Sequence, residues 1–203
     1  VSVAVTAFSG DAIEKMGFQE GLDITQQVPN MDFFAIFGEA SSPSVSLRGI
    51  SLVNFSDSWE SPVSMYVDDV YRGNPAGSAM QLFDLERVEV LRGPQGTLYG
   101  RNTTGGVVNI LTAKPNSDEL SGNIEAQVGN YNSTQFKGHI NVPLTDSLSF
   151  RAAGFWLDRD GFVENEYTGN DIDDREMYSG RLSLRWQGEN TDINLMANFF
   201  DED

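Results

Sequence analysis

The run DLERVEVLRGPQGTLYGRNTTGGVVN, residues 84–109, decides how this chain is read. Its valines and leucines mark a strand over residues 88–91. Arg92, Gly93 and Pro94 follow at once, so the chain must turn tightly where glycine lets the backbone pack closely. A second strand is expected at 107–111, behind Gly105 and Gly106. Glycines after a strand also mark loops that cradle phosphates. That reading fails on detail: there is no Gly-Lys-Ser/Thr, no Gly-x-Gly-x-x-Gly, and no clear helix long enough to aim its dipole at a phosphate.

On the N-terminal side the pattern is mixed. Val3, Ala4 and Val5 form a short strand. Ser9 suits a helix N-cap, with Asp11 in the first turn and Gly17 at the stop. A second helix is expected over 22–28, ended by Pro29. Strands follow at 45–47 and 63–67, with glycine punctuating the intervals.

On the C-terminal side, from about Leu120, apolar residues recur at every second position. Leu120, Gly122, Ile124, Ala126 and Val128 share one face, and Ser121, Asn123, Glu125 and Gln127 the other. Phe136, Gly138, Ile140 and Val142 oppose Gln135, Lys137, His139 and Asn141. The clearest segment sets Tyr178, Gly180, Leu182, Leu184 and Trp186 against Ser179, Arg181, Ser183, Arg185 and Gln187. Residues 148–157 and 193–200 behave similarly. A soluble sandwich alternates too, but these segments run to about 10 residues, the length that crosses a bilayer when tilted. Their second face carries arginines and amides suited to a wet lumen. Tyr131, Trp156, Tyr178 and Trp186 lie near strand ends, where an interfacial girdle belongs. Residues 144–147 and 188–191 read as tight turns and 158–176 as a long acidic loop, the asymmetry of periplasmic turns and external loops in such barrels. Five strands cannot close a barrel, so the chain reads as the start of a larger one.

Composition narrows the function. Among 203 residues, 30 Asp and Glu against 13 Lys and Arg give a formal charge of −17, which excludes a phosphate-tracking nucleic-acid binder. Cysteine is absent, so neither a disulfide scaffold nor a thiolate zinc site is available. No run approaches the ~20 apolar residues of a membrane helix, a test that a β-barrel evades. The chain starts at Val1 without a signal-peptide pattern, as a mature or trimmed N-terminus would. No Gly-x-Ser-x-Gly and no His-Glu-x-x-His is present, so no enzyme is expected. His139 stands alone and suits a structural role on the lumen side better than a metal site. Asp158, Asp160, Glu164, Glu166, Asp171, Asp173 and Asp174 lack the spacing of a calcium loop and read as a solvated external loop. No metal and no cofactor is expected. A soluble acidic protein binding carbohydrate or calcium is the rival class, separable because a barrel needs detergent.

Residues 84–109 are similar, almost position for position, to the plug signature of TonB-dependent outer-membrane receptors. Leu47-Arg48-Gly49 resembles the family's arginine–glycine strand, and Val67-Asp68-Asp69-Val70-Tyr71 resembles its strand YVDGVY, with Asp69 in place of the usual glycine. The resemblance implies an α+β plug domain, residues 1–114, followed by the start of an antiparallel transmembrane β-barrel, residues 115–203: five strands of a larger barrel of about 22. It implies an outer-membrane receptor that imports a scarce nutrient, most readily a ferric siderophore or similar iron complex, with cobalamin or oligosaccharide as the alternative. Its expected partners are TonB, acting on an extended segment that would precede Val1, the cargo, and outer-membrane lipid and lipopolysaccharide. By the same resemblance Arg48 and Arg92 latch the plug to barrel glutamates beyond Asp203, and Asn54, Phe55, Trp59, Tyr71, Arg72, Tyr99 and Arg101 lie at the plug's outward apex, where cargo binds.

Overall fold

A computed structural model describes residues 4–18, 21–34, 44–52, 60–73, 82–164, 167, 171–172 and 174–202. The chain divides into two compact units, residues 1–113 and 114–203.

In the first unit β1 (Ala4–Ser9) leads into α1 (Gly10–Met16), α2 (Gly21–Thr25), β2 (Met31–Phe34), β3 (Ser44–Leu47), β4 (Val63–Val67), β5 (Val70–Arg72), β6 (Leu85–Arg92), α3 (Gly96–Tyr99) and β7 (Gly106–Thr112). The start of α1 is set as its sequence suggests. The Ser9 side chain accepts from the Ala12 N–H at 3.2 Å, and Gly17 closes the helix in the left-handed region at φ 71°. α2 ends at Thr25, short of the expected residue 28. Thr25 turns its hydroxyl back onto the Leu22 carbonyl at 2.6 Å, and Pro29 bars helical backbone at the residue before it.

The main sheet has the order β1-β6-β7-β4-β5. β6 is longer than its valines suggest, because β1 and β7 pair along both its edges and draw in Leu85, Glu86 and Arg87. Charge on that extension is partly balanced locally: Arg87 bonds Glu89 through Nε at 2.7 Å and also pairs with Glu86. The Arg87 hydrogen bond holds the Glu89 carboxyl below the usual range, against the opposing effect of burial, with help from Asn109. Val88, Val90, Val108 and Ile110 from this sheet meet Ile13, Ile24, Val45 and Leu47 in one core. Each such side chain, fully buried, contributes about 1.5–3 kcal/mol.

β4 and β5 are joined by Asp68 at φ 47° and Asp69 at φ 66°. Two consecutive left-handed residues form the turn whose twist suits a hairpin, which is why glycine is usual at the second position. Asp68 anchors it: its carboxylate accepts from the Thr112 N–H at 2.9 Å and from the Thr112 hydroxyl at 2.8 Å.

The second unit is an antiparallel meander of β8 (Ser121–Val128), β9 (Thr134–Pro143), β10 (Leu148–Arg159), β13 (Arg175–Gln187) and β14 (Asp192–Glu202). Between β10 and β13 the expected loop holds a small ribbon, β11 (Val163–Glu164) paired with β12 (Asp171–Ile172). Register lines up Phe136, Trp156 and Tyr178 on one face, with Phe136 stacked on Trp156 at 5.7 Å. Ile140, Ala152, Leu182 and Ala197 follow in the next row but one.

The accessibility of this sheet is inverted relative to a soluble protein. Leu182, Leu184 and Trp186 are 49%, 37% and 43% exposed, whereas Arg181 and Ser183 are 9% and 3% exposed. Asn141, Ser149, Arg151 and Arg175 are buried on the same polar side. Such a sheet puts lipid against its apolar face and polar groups toward the lumen. Phe155, Leu157 and Met177 are lapses, buried on the polar face.

Candidate functional site

The two arginine–glycine pairs are turns of one assembly in the first unit. Arg48 at φ 54° and Gly49 at φ 77° form the two-residue turn between Leu47 and Ile50, closed by the Ile50 N–H on the Leu47 carbonyl at 3.0 Å. The Arg48 N–H donates to the Asn30 carbonyl at 2.8 Å. Gly93, at φ 99°, begins a loop that returns to its own base: its N–H donates to the Gly105 carbonyl at 2.9 Å, and the Gln95 N–H to the Thr103 carbonyl at 3.0 Å.

Glycines let these turns meet. A Cβ on Gly105 would stand 2.9 Å from Val63 and 3.1 Å from Ile50, and one on Gly106 2.8 Å from the Leu47 side chain. A Cβ on Gly93 would stand 3.4 Å from Arg48 Nη1, so the Arg48 guanidinium lies over the residue that follows Arg92. Arg48 is exposed and Arg92 half-buried. Among the described residues neither has an ion-pair partner, and Arg92 Nε is buried without a hydrogen bond. A buried donor left this way costs about 1–3 kcal/mol. Arg48 and Arg92 thus bring two guanidinium groups to neighbouring parts of the fold, and the Arg92 Nε donor is unsatisfied.

A second cluster gathers where β4, β5 and the loop after α3 come together. The Tyr66 ring lies 5.6 Å from Tyr71 and 5.1 Å from Tyr99, and its hydroxyl donates to the Tyr99 carbonyl at 2.5 Å. Asn102 Nδ2 donates to the Tyr71 hydroxyl at 3.0 Å and to the Glu60 carboxylate. Glu60 also pairs with Arg101 at 2.9 Å, although Arg101 is 75% exposed. Asn102 takes a left-handed conformation at φ 63°, which asparagine tolerates, and Ser64 Oγ donates to its carbonyl at 2.7 Å. Burial, and then the charges of Glu89 and Asp69, push the Tyr99 phenol up. It therefore stays protonated past neutrality and offers a hydrogen-bond donor rather than a phenolate.

Of the seven apical residues expected from sequence, Tyr71, Tyr99 and Arg101 are brought together, and Arg72 is exposed at the end of β5. Asn54, Phe55 and Trp59 lie outside the described residues. Tyr66, Glu60 and Asn102 were not anticipated. Tyr66 and Tyr71 flank the Asp68–Asp69 turn symmetrically, and that is the one sequence signal that could have found the pair. In the second unit His139 is half-buried on the polar face of β9, opposite Ala153. Among the described residues no group of three or more acidic or histidine side chains could hold a metal ion; Glu166 and Asp173 lie outside them.

A family model described as the TonB-dependent receptor plug domain matches residues 1–107. The pesticin receptor of Yersinia pestis is 31% identical over 171 residues, covering 84% of this chain and 25% of that receptor. The vitamin B12 transporter BtuB of Vibrio vulnificus is 28% identical over 206 residues, covering 100% of this chain and 31% of the transporter. Among solved structures, the ferric yersiniabactin uptake receptor FyuA from Yersinia pestis superposes with a TM-score of 0.87 at 28% identity, over 97% of this chain and 31% of that one. The chain thus spans about a quarter to a third of the length of these relatives.

Proposed function

The chain belongs to the TonB-dependent receptors, proteins of the outer membrane, and from that premise we propose that the whole protein binds a ferric siderophore or similar iron complex outside the cell and imports it into the periplasm. The apical cluster carries this reading. Tyr71, Tyr99 and Arg101 present phenol and guanidinium donors on one surface, suited to the oxygen-rich, anionic shell of a chelated metal. Arg72 follows Tyr71 directly in the chain, and Asn54, Phe55 and Trp59, expected at the same apex from sequence, lie outside the described residues. The likeness to the ferric yersiniabactin uptake receptor and to the pesticin receptor supports iron as cargo. The likeness to a vitamin B12 transporter, which takes in the entire chain, makes cobalamin the second candidate.

Energy comes from TonB, which pairs with an extended receptor segment by strand addition. The protein transports and does not catalyse; its other partners are outer-membrane lipid and lipopolysaccharide, and nucleic acid is excluded by its charge. Arg48 and Arg92 serve as the latch that seats the plug in the barrel.

Binding to the purified full-length receptor tests the cargo assignment. Ferric siderophores and cyanocobalamin are titrated against tryptophan fluorescence. A ferric siderophore binds, and Arg101→Ala weakens it about tenfold, or about 1.4 kcal/mol. Binding of cyanocobalamin alone would replace the cargo, and an unchanged affinity in Arg101→Ala would remove the apex from the site.

A further inference from the structure

Residues 115–120 lead from the first unit into β8, and they are fastened to the sheet of the second unit by two side chains. Asn141, on the polar face of β9 opposite Ser121, is fully buried. Its Oδ1 accepts from the Asn116 N–H at 3.0 Å. Its Nδ2 donates to the Asn116 carbonyl at 3.1 Å, to Asn116 Oδ1 at 3.2 Å and to the Glu119 carbonyl at 2.9 Å. One amide thus satisfies backbone groups at both ends of the connector, as a strand partner would. Arg185, on β13, holds the beginning of the same segment: Nη1 donates to the Pro115 carbonyl at 3.1 Å. The Arg185 fork is itself aimed by Asp192 on β14, at 2.9 Å through Nε and 2.6 Å through Nη2. Pro115 is fully buried, and its fixed φ leaves the connector little freedom to swing.

We propose that Asn141 and Arg185 are positioning residues that clamp this connector to the barrel wall. Remodelling of the plug under TonB's pull then ends at Lys114, and β8 never feels the load. The proposal rests on the import reading above, because only an energised receptor has its plug pulled. Hydrogen bonds at Pro115, Asn116 and Glu119 must all break before residues 115–120 peel away. A rigid end point of this kind leaves β8 paired with β9 while the plug changes shape, and it returns the plug to the same position after each cycle.

Single-molecule pulling on the full-length receptor in lipid vesicles, with force applied at the N-terminus, reads the end point as a length. In the wild type the extension released below the force that breaks the barrel stops at Lys114. In Asn141→Ala and in Arg185→Gln it grows by the connector's six residues, about 20 Å when fully extended. Asn141→Asp behaves like Asn141→Ala, because a carboxylate cannot donate to the Asn116 and Glu119 carbonyls. A merely structural role for Asn141 would shift the unfolding force without shifting that length. A wild-type length that already includes residues 115–120 overturns the clamp, and so does an unchanged length in both variants. Should Asn141→Ala fail to assemble, the wild-type length and Arg185→Gln still decide. Pulling requires no cargo, so absence of import in cells sinks the import reading and leaves the measured length to judge the clamp.

Discussion

Arg48→Ala and Arg92→Ala, each introduced into the full-length receptor, are expected to leave the barrel assembled but the plug loose. Arg48 Nη1 lies over Gly93, the residue that follows Arg92 at the end of β6. Arg92 Nε is buried and lacks a hydrogen bond. Barrel carboxylates brought to this point would satisfy the donor and neutralise both charges. Removing one partner of such a buried pair costs about 3–5 kcal/mol, even though the intact pair adds little net stability. Lysine cannot imitate arginine's planar, two-bond hold on a carboxylate, so Arg→Lys gives an intermediate effect. The readout is conductance: planar bilayers show larger currents for the two alanine variants, and cells become leakier to small antibiotics. Arg72, exposed at the end of β5, is the control, and its alanine variant alters cargo affinity at most. If Arg72→Ala leaks while the other two conduct like wild type, the latch has been misplaced.

Leu184→Arg and Ser183→Arg are expected to differ sharply although they are neighbours on β13. Leu184 is 37% exposed on the apolar face, opposite Phe150 and Leu195, and Ser183 is 3% exposed beside Arg151 and Met196. An arginine facing lipid near the midplane costs about 2–4 kcal/mol, and less toward either interface. An arginine at Ser183 stays on the polar side, beside Arg151, so Ser183→Arg costs much less and retains most of the folded barrel provided the lumen has room at that position. Urea unfolding of the full-length receptor in lipid vesicles, followed by the electrophoretic shift of the folded barrel, measures the two costs. Equal losses would count against lipid on the Leu184 side.

The sequence revealed the elements better than the contacts between them. The five long strands were legible because one residue in two faces lipid, so Tyr178, Leu182, Leu184 and Trp186 announce their face without knowledge of any neighbour. Lapses such as Phe155, Leu157 and Met177 cannot be sorted by period, since an apolar side chain on the polar face breaks no local rule. The caps of α1 were legible for the same local reason: Ser9 and Gly17 act within four residues. α2 was overestimated because its stop depends on the Thr25 back-bond as well as on Pro29. The strand expected over 67–71 is broken into the hairpin of β4 and β5, because Asp68 and Asp69 do not look like a turn until the Thr112 contacts show what holds them.

The candidate sites divide in the same way. Arg48 and Arg92 stood out through their glycines, but the reason for Gly105 and Gly106 lies in Val63, Ile50 and Leu47, far away in sequence. Glu60, Tyr66 and Asn102 were invisible to local reading because their partners are many residues distant: Asn102 meets Glu60 and Tyr71 only after β4, β5 and the loop behind α3 have assembled. The connector clamp was equally hidden. Asn141 read as one more polar residue on an alternating strand, and nothing in its immediate neighbours distinguishes it from Asn123 or Gln135.

Uptake of a radiolabelled ferric siderophore by cells that carry the full-length protein as their sole receptor for it tests energised import most directly. Cells are compared with and without TonB, and cell-surface binding is measured beside accumulation. The account predicts equal surface binding in both strains and accumulation only where TonB is present. Accumulation at the same rate without TonB, or surface binding that never leads to accumulation in its presence, would contradict it.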